Sequence, residues 1–475
     1  MSFKTGKFPN AIKIAKVIPI HKKESTQGVN NYRPISLLST FSKILEKLMH
    51  KRVYDFLENH KLLYSLQFGF RKNNSTLHSL VQITENIKTS IENGKFGCGL
   101  FIDLKKAFDT VDHSILIRKL DHYGIRGFAL EWFKSYLFNR QQFVSFNGHS
   151  SEMRNVTCGV PQGSVLGPLL FLIYINDLPN ISKVLKFFLF ADDTNIYYES
   201  SNLVQIEKVM NKELNKLYQW LCVNRLSLNI SKTHFLIFHP YNKPIREAIT
   251  LKINRKAISE KQYVKYLGIL IDSTLSWKYH INELGKKLSR VIGIMYKLRH
   301  FVSRELMVSL YYSLIYPYLI YGVPIWGTAN ITTLSTLHIL QKQIVRLITF
   351  NDGYALIPGP LMHTPPLFHE LKILNIYDIC KLEINKFTFT VINRISPPQF
   401  YNMFTQLNEV NSMITRSTNE NKLFIYYART SHYGLTQIGN IGARLWNAMP
   451  TALRMVNSKA QFNKKLKTYF ISLYV

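Results

Sequence analysis

The sequence predicts an α+β fold, an antiparallel sheet backed by helices and followed by a mainly helical region. Three observations point there. Short apolar runs rich in β-branched and aromatic residues recur before residue 272 and are separated by helical stretches. After about Trp277 the strand-like runs stop and basic amphipathic pieces alternate with an uncharged aromatic run. A hydrophobic fraction of 46% and an aromatic fraction of 13% over 475 residues describe a folded chain with room for more than one core.

Taken in order, Lys13 to Lys23 alternates basic and apolar residues like a half-exposed strand, and Gly28 to Pro34 is a turn-rich connection. Ser39 or Thr40 can cap a helix whose apolar positions are Phe41, Ile44, Leu45, Leu48, Met49, Val53, Phe56 and Leu57. Gln67 to Thr76 is a basic loop that leads into a helix from Thr76 to Asn93. Gly97 to Leu104 is a short apolar strand interrupted near its end by Asp103. Helices are expected over Val111 to Tyr123 and Gly127 to Phe138, with the break at Gly124 and Gly127. Gln142 to Gly148 reads as a strand entering an Asn-Gly turn. Gly159 to Pro168 is a Gly/Pro loop before the apolar helix Leu169 to Asn176. An amphipathic helix over Asn202 to Cys222 and strands at His234 to His239 and Val264 to Ile271 complete this part. A boundary falls near Asp272 to Ser276, giving units 1–275, 276–350 and 351–475, the last without an assigned role.

Bulk properties narrow the function classes. Lys and Arg number 60 against 29 Asp and Glu, a net charge of +31 that favours a polyanionic partner. Cys98, Cys158, Cys222 and Cys380 are far apart, so neither a zinc finger nor a disulfide framework follows, and a reducing intracellular compartment is expected. The basic N-terminal stretch has no continuous apolar core for a secretion signal. The uncharged run from Leu306 to Trp326 carries five tyrosines plus Pro317 and Pro324, and reads as a buried, interrupted helical segment rather than a membrane span.

The stretch with chemistry is Phe187 to Tyr198, where Asp192 and Asp193 sit between apolar flanks without a Lys or Arg. The flanks read as two strands with Ala191-Asp192-Asp193-Thr194 at the turn of a hairpin. Alone, such a turn also reads as an Asx-type turn with solvated carboxylates. Asp103 changes the balance, because it too ends a strongly apolar strand. If the strands are neighbours, three carboxylates converge on one sheet edge, a donor set suited to Mg²⁺. Asp109 with Asp112 lies past the strand end and reads as a cap on the following helix.

Seven motifs then occur in one order. Asn31-Tyr32-Arg33-Pro34-Ile35-Ser36-Leu37-Leu38, Gln67-Phe68-Gly69-Phe70-Arg71, Phe101 to Asp109, Gly159 to Ser164, Phe190-Ala191-Asp192-Asp193, Leu226 to Thr233 and Tyr266-Leu267-Gly268 span residues 11–275 with their surroundings. In these the chain resembles the reverse transcriptases of non-LTR retrotransposons, closest to the jockey type of LINE element.

That resemblance implies a right-hand polymerase with fingers and palm over 1–275 and a thumb-like region over 276–350. It implies an RNA-directed DNA polymerase acting on an RNA template, a DNA primer and dNTPs, with two Mg²⁺ ions or Mn²⁺ in their place, in the nucleus or a cytoplasmic ribonucleoprotein and with no membrane partner. Asp103 and Asp192 correspond to the family's metal-binding aspartates, Asp193 to a less direct acidic neighbour, and the Leu104 carbonyl to an extra oxygen ligand. Phe108 falls where the family packs a side chain under the nucleotide sugar, and Gln162 and Gly163 where it lines the nucleotide pocket. Arg71 corresponds to the residue gripping the triphosphate, with Arg33 a further pocket candidate. Lys232 corresponds to a proton donor to pyrophosphate, and Tyr266, Leu267 and Gly268 to the support of the primer terminus. Gly442 to Asn447 resembles part of the C-terminal extension. Full-length elements of this type carry an endonuclease ahead of the polymerase, whereas here the motifs begin almost at Met1, and 277–475 holds no acidic cluster of RNase H type. A catalytically idle nucleic-acid-binding remnant and an RNA-dependent RNA polymerase are the rival readings.

Overall fold

Apolar runs flanked by turn residues become the strands of this protein, and the two faces of one sheet are buried in two different cores. The computed structural model describes residues 1–22, 25–245, 247–349, 364–410 and 421–474, so Lys23, at the end of the first predicted strand, lies outside the described residues. In chain order the strands are β1 (Ile14–His21), β2 (Tyr32–Leu37), β3 (Phe96–Ile102), β4 (Arg140–Phe146), β5 (His149–Ser150), β6 (Arg154–Val156) and β7 (Lys186–Phe190). They continue with β8 (Asp193–Ser200), β9 (His234–Phe238), β10 (Lys252–Ile253), β11 (Lys256–Ala257), β12 (Ser259–Glu260), β13 (Tyr263–Tyr266) and β14 (Ile269–Asp272).

The central sheet runs β12-β9-β3-β8-β7. Leu100, Ile102, Leu189, Ile196, Phe235 and Ile237 join one core with the helices Thr40–Asn59, His113–His122, Gly167–Ile175 and Leu203–Val223. Phe101, Phe188, Tyr197, Leu236 and Phe238 point into the other core, shared with helices that follow Trp277. Burial on both faces explains why β3, β7 and β9 are continuous apolar runs without polar alternation. A second sheet, β2-β1-β4-β5 with β6 on β4, stands beside the central one, and β4 turns into β5 through Asn147 and Gly148, whose φ values of 49° and 83° match the primed turn that Asn-Gly predicts.

Two predicted elements come out differently. The single strand over Val264 to Ile271 is a hairpin: Tyr266 pairs with Ile269, and Leu267 (φ 44°) and Gly268 (φ 85°) make the turn between β13 and β14. Two four-residue strands joined by two residues leave no gap in the apolar pattern, so they read as one. The helix Thr40–Asn59 is also rotated from its predicted face. Phe41, Ile44 and Leu48 are 73%, 51% and 50% exposed, while Ser42, Glu46, Met49, Val53, Tyr54 and Leu57 are buried. The cause is Glu46, whose carboxylate accepts from Ser42 Oγ (2.9 Å) and from the Val165 and Leu166 amides (2.6 and 3.4 Å). Those amides precede the helix Gly167–Ile175, all of which except Pro168 is buried, so a distant carboxylate satisfies donors that the helix cannot.

Beyond Trp277 the main helices are Lys278–Leu298, Ile331–Ile348, Ile376–Ile392, Ile438–Ala448 and Lys459–Ser472. The uncharged run folds as Arg304–Leu310, a π-type turn over Tyr311–Ile315, Tyr316–Ile320 and Val323–Trp326, broken by prolines. Among the described residues no helix is long and apolar enough to cross a membrane. The C-terminal region folds back on the helix Thr76–Glu92. Buried Lys88 donates to the Thr436 carbonyl (2.7 Å), Glu85 accepts from the Ile438 amide (3.0 Å), and Glu92 accepts from Arg429 and Thr430.

Replacing Glu46 should therefore act at a distance. Glu46→Ala is expected to destabilise the fold by about 2–3 kcal/mol, because it uncaps buried amides of a second helix. Leu48→Ser on the opposite, exposed face should stay within about 0.5 kcal/mol. Thermal denaturation of the two variants separates the assignments.

Candidate active site

The sheet register assembles the carboxylates. β3 pairs antiparallel with β8, Ile102 against Thr194, so one residue further Asp103 stands level with Asp193. β7 pairs with β8 as a hairpin, Phe190 against Asp193, with Ala191 and Asp192 in the turn. The two strands that the sequence left as conditional neighbours are adjacent, and all three aspartates meet at one edge.

Each carboxylate strand is braced by a loop from elsewhere. Asn229 Nδ2 donates to Asp103 Oδ2 at 2.8 Å, and its amide donates to the Asp103 carbonyl at 2.8 Å. Lys105 N bonds to Ser227 O, which completes a bridge between Leu104 and Leu228 that does not use the Leu104 carbonyl. On the hairpin, Phe68 N donates to Leu189 O (2.8 Å) and Leu189 N to Leu66 O (3.0 Å). Gln67 Oε1 accepts from the Ala191 amide at 3.1 Å. Sequence reasoning missed both Asn229 and Gln67 as site residues, since only spatial partners reveal them.

Asp103 and Asp192 line a cavity of about 1180 Å³. Its cationic side chains are Lys22, Arg33, Lys105, Lys106 and Lys232, and Phe108, Gln162 and Gly163 also face it. Phe108 stacks on Phe171 (centroids 4.6 Å, 27°) and meets the exposed Phe70 edge-on at 6.3 Å, so its ring is fixed and only part-buried. Gln162 Nε2 donates to Asp109 Oδ1 (2.9 Å), and its carbonyl accepts from Ser36 of β2 (2.7 Å). Gly163 has φ +117°, and a Cβ there would lie 2.6 Å from the Ser36 carbonyl, so this contact between sheet and loop requires glycine.

The remaining predicted residues divide. Lys232 and Arg33 face the cavity with the aspartates. Arg71 does not: its Nε and Nη2 bond to Glu58 at 2.8 and 2.7 Å, and its Nη1 to Tyr64 O at 2.9 Å. Its fork is engaged on a carboxylate 13 residues back, and the cationic side chains that line the cavity include Lys22 and Arg33 instead. Tyr266 lies buried behind the site, its hydroxyl 3.1 Å from Ser79 Oγ and its ring 5.5 Å from Phe101, while Leu267 and Gly268 form the turn against Tyr321. Asp112 caps the helix His113–His122 through the Ile115 amide (2.9 Å), as read, whereas Asp109 turns to Gln162 and the cavity.

Charge at this edge is only partly compensated by protein. Burial pushes the Asp193 carboxyl up to about 6, with Asp192 and Asp103 adding to the shift. Asp192 is raised by burial and then by Asp103, and Arg33 offsets part of it. Among the described residues no three His, Cys, Asp or Glu side chains are gathered into a ready metal cage. The donors are instead hard carboxylate oxygens beside an open cavity, which fits an ion such as Mg²⁺ that takes one or two carboxylates and completes its shell with water and phosphate oxygens.

Comparison with known proteins agrees with this geometry. The family described as reverse transcriptase (RNA-dependent DNA polymerase) matches residues 20–271, which include the three aspartates and the five cationic residues of the cavity. The chain is 30% identical over 387 residues to the RNA-directed DNA polymerase from mobile element jockey of Drosophila melanogaster, covering 78% of this chain and 41% of that protein. Two further D. melanogaster relatives are the probable RNA-directed DNA polymerases from transposon BS (30% over 390 residues; 77% and 41% covered) and from transposon X-element (28% over 438 residues; 86% and 46%). The chain thus spans less than half the length of these relatives.

Mutual repulsion of the aspartates predicts a melting signature. With a chelator present, Asp193→Asn should melt above the unsubstituted protein, and millimolar Mg²⁺ should raise the unsubstituted protein more than the variant. Equal melting temperatures with and without Mg²⁺ in both proteins would remove the charge argument.

Proposed function

This chain belongs to the reverse transcriptase family, and we propose that it extends a DNA primer on an RNA template by nucleotidyl transfer from dNTPs. The observation that carries the reading is the β3–β8 register, which sets Asp103 level with the Asp192-Asp193 turn at the mouth of a cation-rimmed cavity. Asp103 and Asp192 together with five cationic side chains around one space suit a ligand that is itself polyanionic and arrives with divalent ions.

Roles follow from position. Asp103 and Asp192 would hold two Mg²⁺ ions, with Asp193 and the Leu104 carbonyl near them. Bound there, the ions would supply charge neutralisation at the reacting phosphate and activation of the primer 3′-hydroxyl. Lys22 and Arg33 bind triphosphate oxygens, and Gln162, oriented by Asp109, and Gly163 line the nucleotide pocket. Phe108, fixed by Phe171, fills the space beside the sugar and disfavours a 2′-hydroxyl. Lys232 faces the same cavity and supplies a proton to the leaving pyrophosphate. Tyr266, Leu267 and Gly268 position the primer terminus from the β13–β14 hairpin.

Primer extension with Mg²⁺, dNTPs and an RNA template tests the reading. Asp192→Ala should lower incorporation by about a thousandfold or more. Folded protein that binds RNA and incorporates nothing would favour the idle, nucleic-acid-binding alternative. Phe108→Val should raise NTP incorporation relative to dNTP by roughly 10–100-fold. Unsubstituted protein that prefers NTPs would instead favour an RNA polymerase.

A further inference from the structure

The turn that carries Asp192 is held in an unfavourable backbone conformation. Ala191 has φ +56°, a left-handed value that costs a residue with a Cβ roughly 1–2 kcal/mol. It persists because the surroundings dictate it, and the residue that dictates it most directly is outside the cavity. Gln67 is 2% exposed and does not line the site. Its Oε1 accepts from the amides of both Gly69 (2.9 Å) and Ala191 (3.1 Å), while its Nε2 has no partner among the described residues. The working end of this side chain is therefore its oxygen. Gly69 sits so close that a Cβ on it would fall 2.3 Å from the Ala191 nitrogen.

The far end of the same segment is anchored too. Arg71 is paired with Glu58, and the Lys72 amide donates to the Tyr54 hydroxyl (2.8 Å), both partners lying on the helix Thr40–Asn59. Residues 66–72 thus run as a strut from that helix to the hairpin turn. Resting on the reading of Asp103 and Asp192 as catalytic, we propose that Gln67 is a positioning residue: its carbonyl oxygen clamps the Ala191 amide and fixes the left-handed turn that aims the Asp192 carboxylate at the divalent cation. Without it, repulsion among three neighbouring carboxylates turns Asp192 away.

Gln67→Met keeps the volume and removes the acceptor. It should weaken Mn²⁺ binding, read by electron paramagnetic resonance without substrate, by about 10–100-fold, and lower kcat similarly. The KM for dNTP should change less than about threefold, because Lys22, Arg33 and Gln162 bind that substrate. Adding Ala191→Gly to Gln67→Met removes the left-handed penalty and should recover part of the Mn²⁺ affinity. Gly69→Ala, which presses on the turn while leaving the Gln67 side chain itself unchanged, should weaken Mn²⁺ binding as well and serves if Gln67→Met does not fold. Mn²⁺ binding unchanged in both single variants overturns the proposal. An unsubstituted protein that incorporates no nucleotide overturns the polymerase reading instead, and the substrate-free Mn²⁺ titration still decides the clamp.

Discussion

The register between β3 and β8 is the constraint on which the site depends. A slip of one residue would carry Asp103 away from Asp193 and turn every side chain of β3 to the opposite face. In a sheet with one solvated face such a slip would carry the apolar set into water. Here both faces are buried, Leu100 and Ile102 in one core and Phe101 in the other, so a slip would exchange side chains of different shape between two close-packed cores. Packing on two sides therefore holds together charges that repel each other, and the carboxyls of Asp192 and Asp193 are raised first by burial and then by that repulsion.

What the sequence revealed and what it hid follow from the range of the interactions. Asp103 and the Asp192-Asp193 pair were legible because each ends a continuous apolar run, a local pattern, and their convergence needed only that the strands be neighbours. The braces were not legible, because each joins segments far apart in the chain: Asn229 to Asp103, Gln67 to Ala191, Glu46 to Val165. Glu46 also overrode part of a local inference, since Met49, Val53 and Leu57 are buried as the pattern predicts but Phe41, Ile44 and Leu48 are not. An amphipathic count places Phe41, Ile44 and Leu48 inside, yet a buried carboxylate with three donors outweighs that stripe and turns the helix. The β13–β14 hairpin was hidden for another reason, since its turn residues, Leu267 and Gly268, interrupt no hydrophobic pattern.

Excess positive charge is spread over more than the cavity beside Asp103 and Asp192. Lys22, Arg33, Lys105, Lys106 and Lys232 rim that cavity, and Lys286 and Arg290 line a separate groove between the helices Lys278–Leu298 and Ile331–Ile348. Lys88, in contrast, is buried and holds the C-terminal region against the helix Thr76–Glu92. Lysine counts therefore mix two uses, ligand attraction and internal docking. The docking joins residues after Trp277 to the same core as β3, β8 and β9, so the helical half stabilises one face of the central sheet.

The placement of Arg71 outside the cavity, with Lys22 and Arg33 along it, has a physical logic. Aiming Arg71 at the cavity would strip Glu58 of its bidentate partner in a partly buried setting, a loss that exceeds what a surface ion pair is worth. Arg33 carries no such conflict, because β2 pairs with β1 from Leu37 to Tyr32 and Ser36 of the same strand donates to the Gln162 carbonyl. That one bond, together with the bare α-carbon of Gly163, docks the second sheet on the loop that lines the pocket. Cations and carboxylates consequently line one cavity, with Arg71 acting from behind as the anchor of the segment that braces the Asp192 turn.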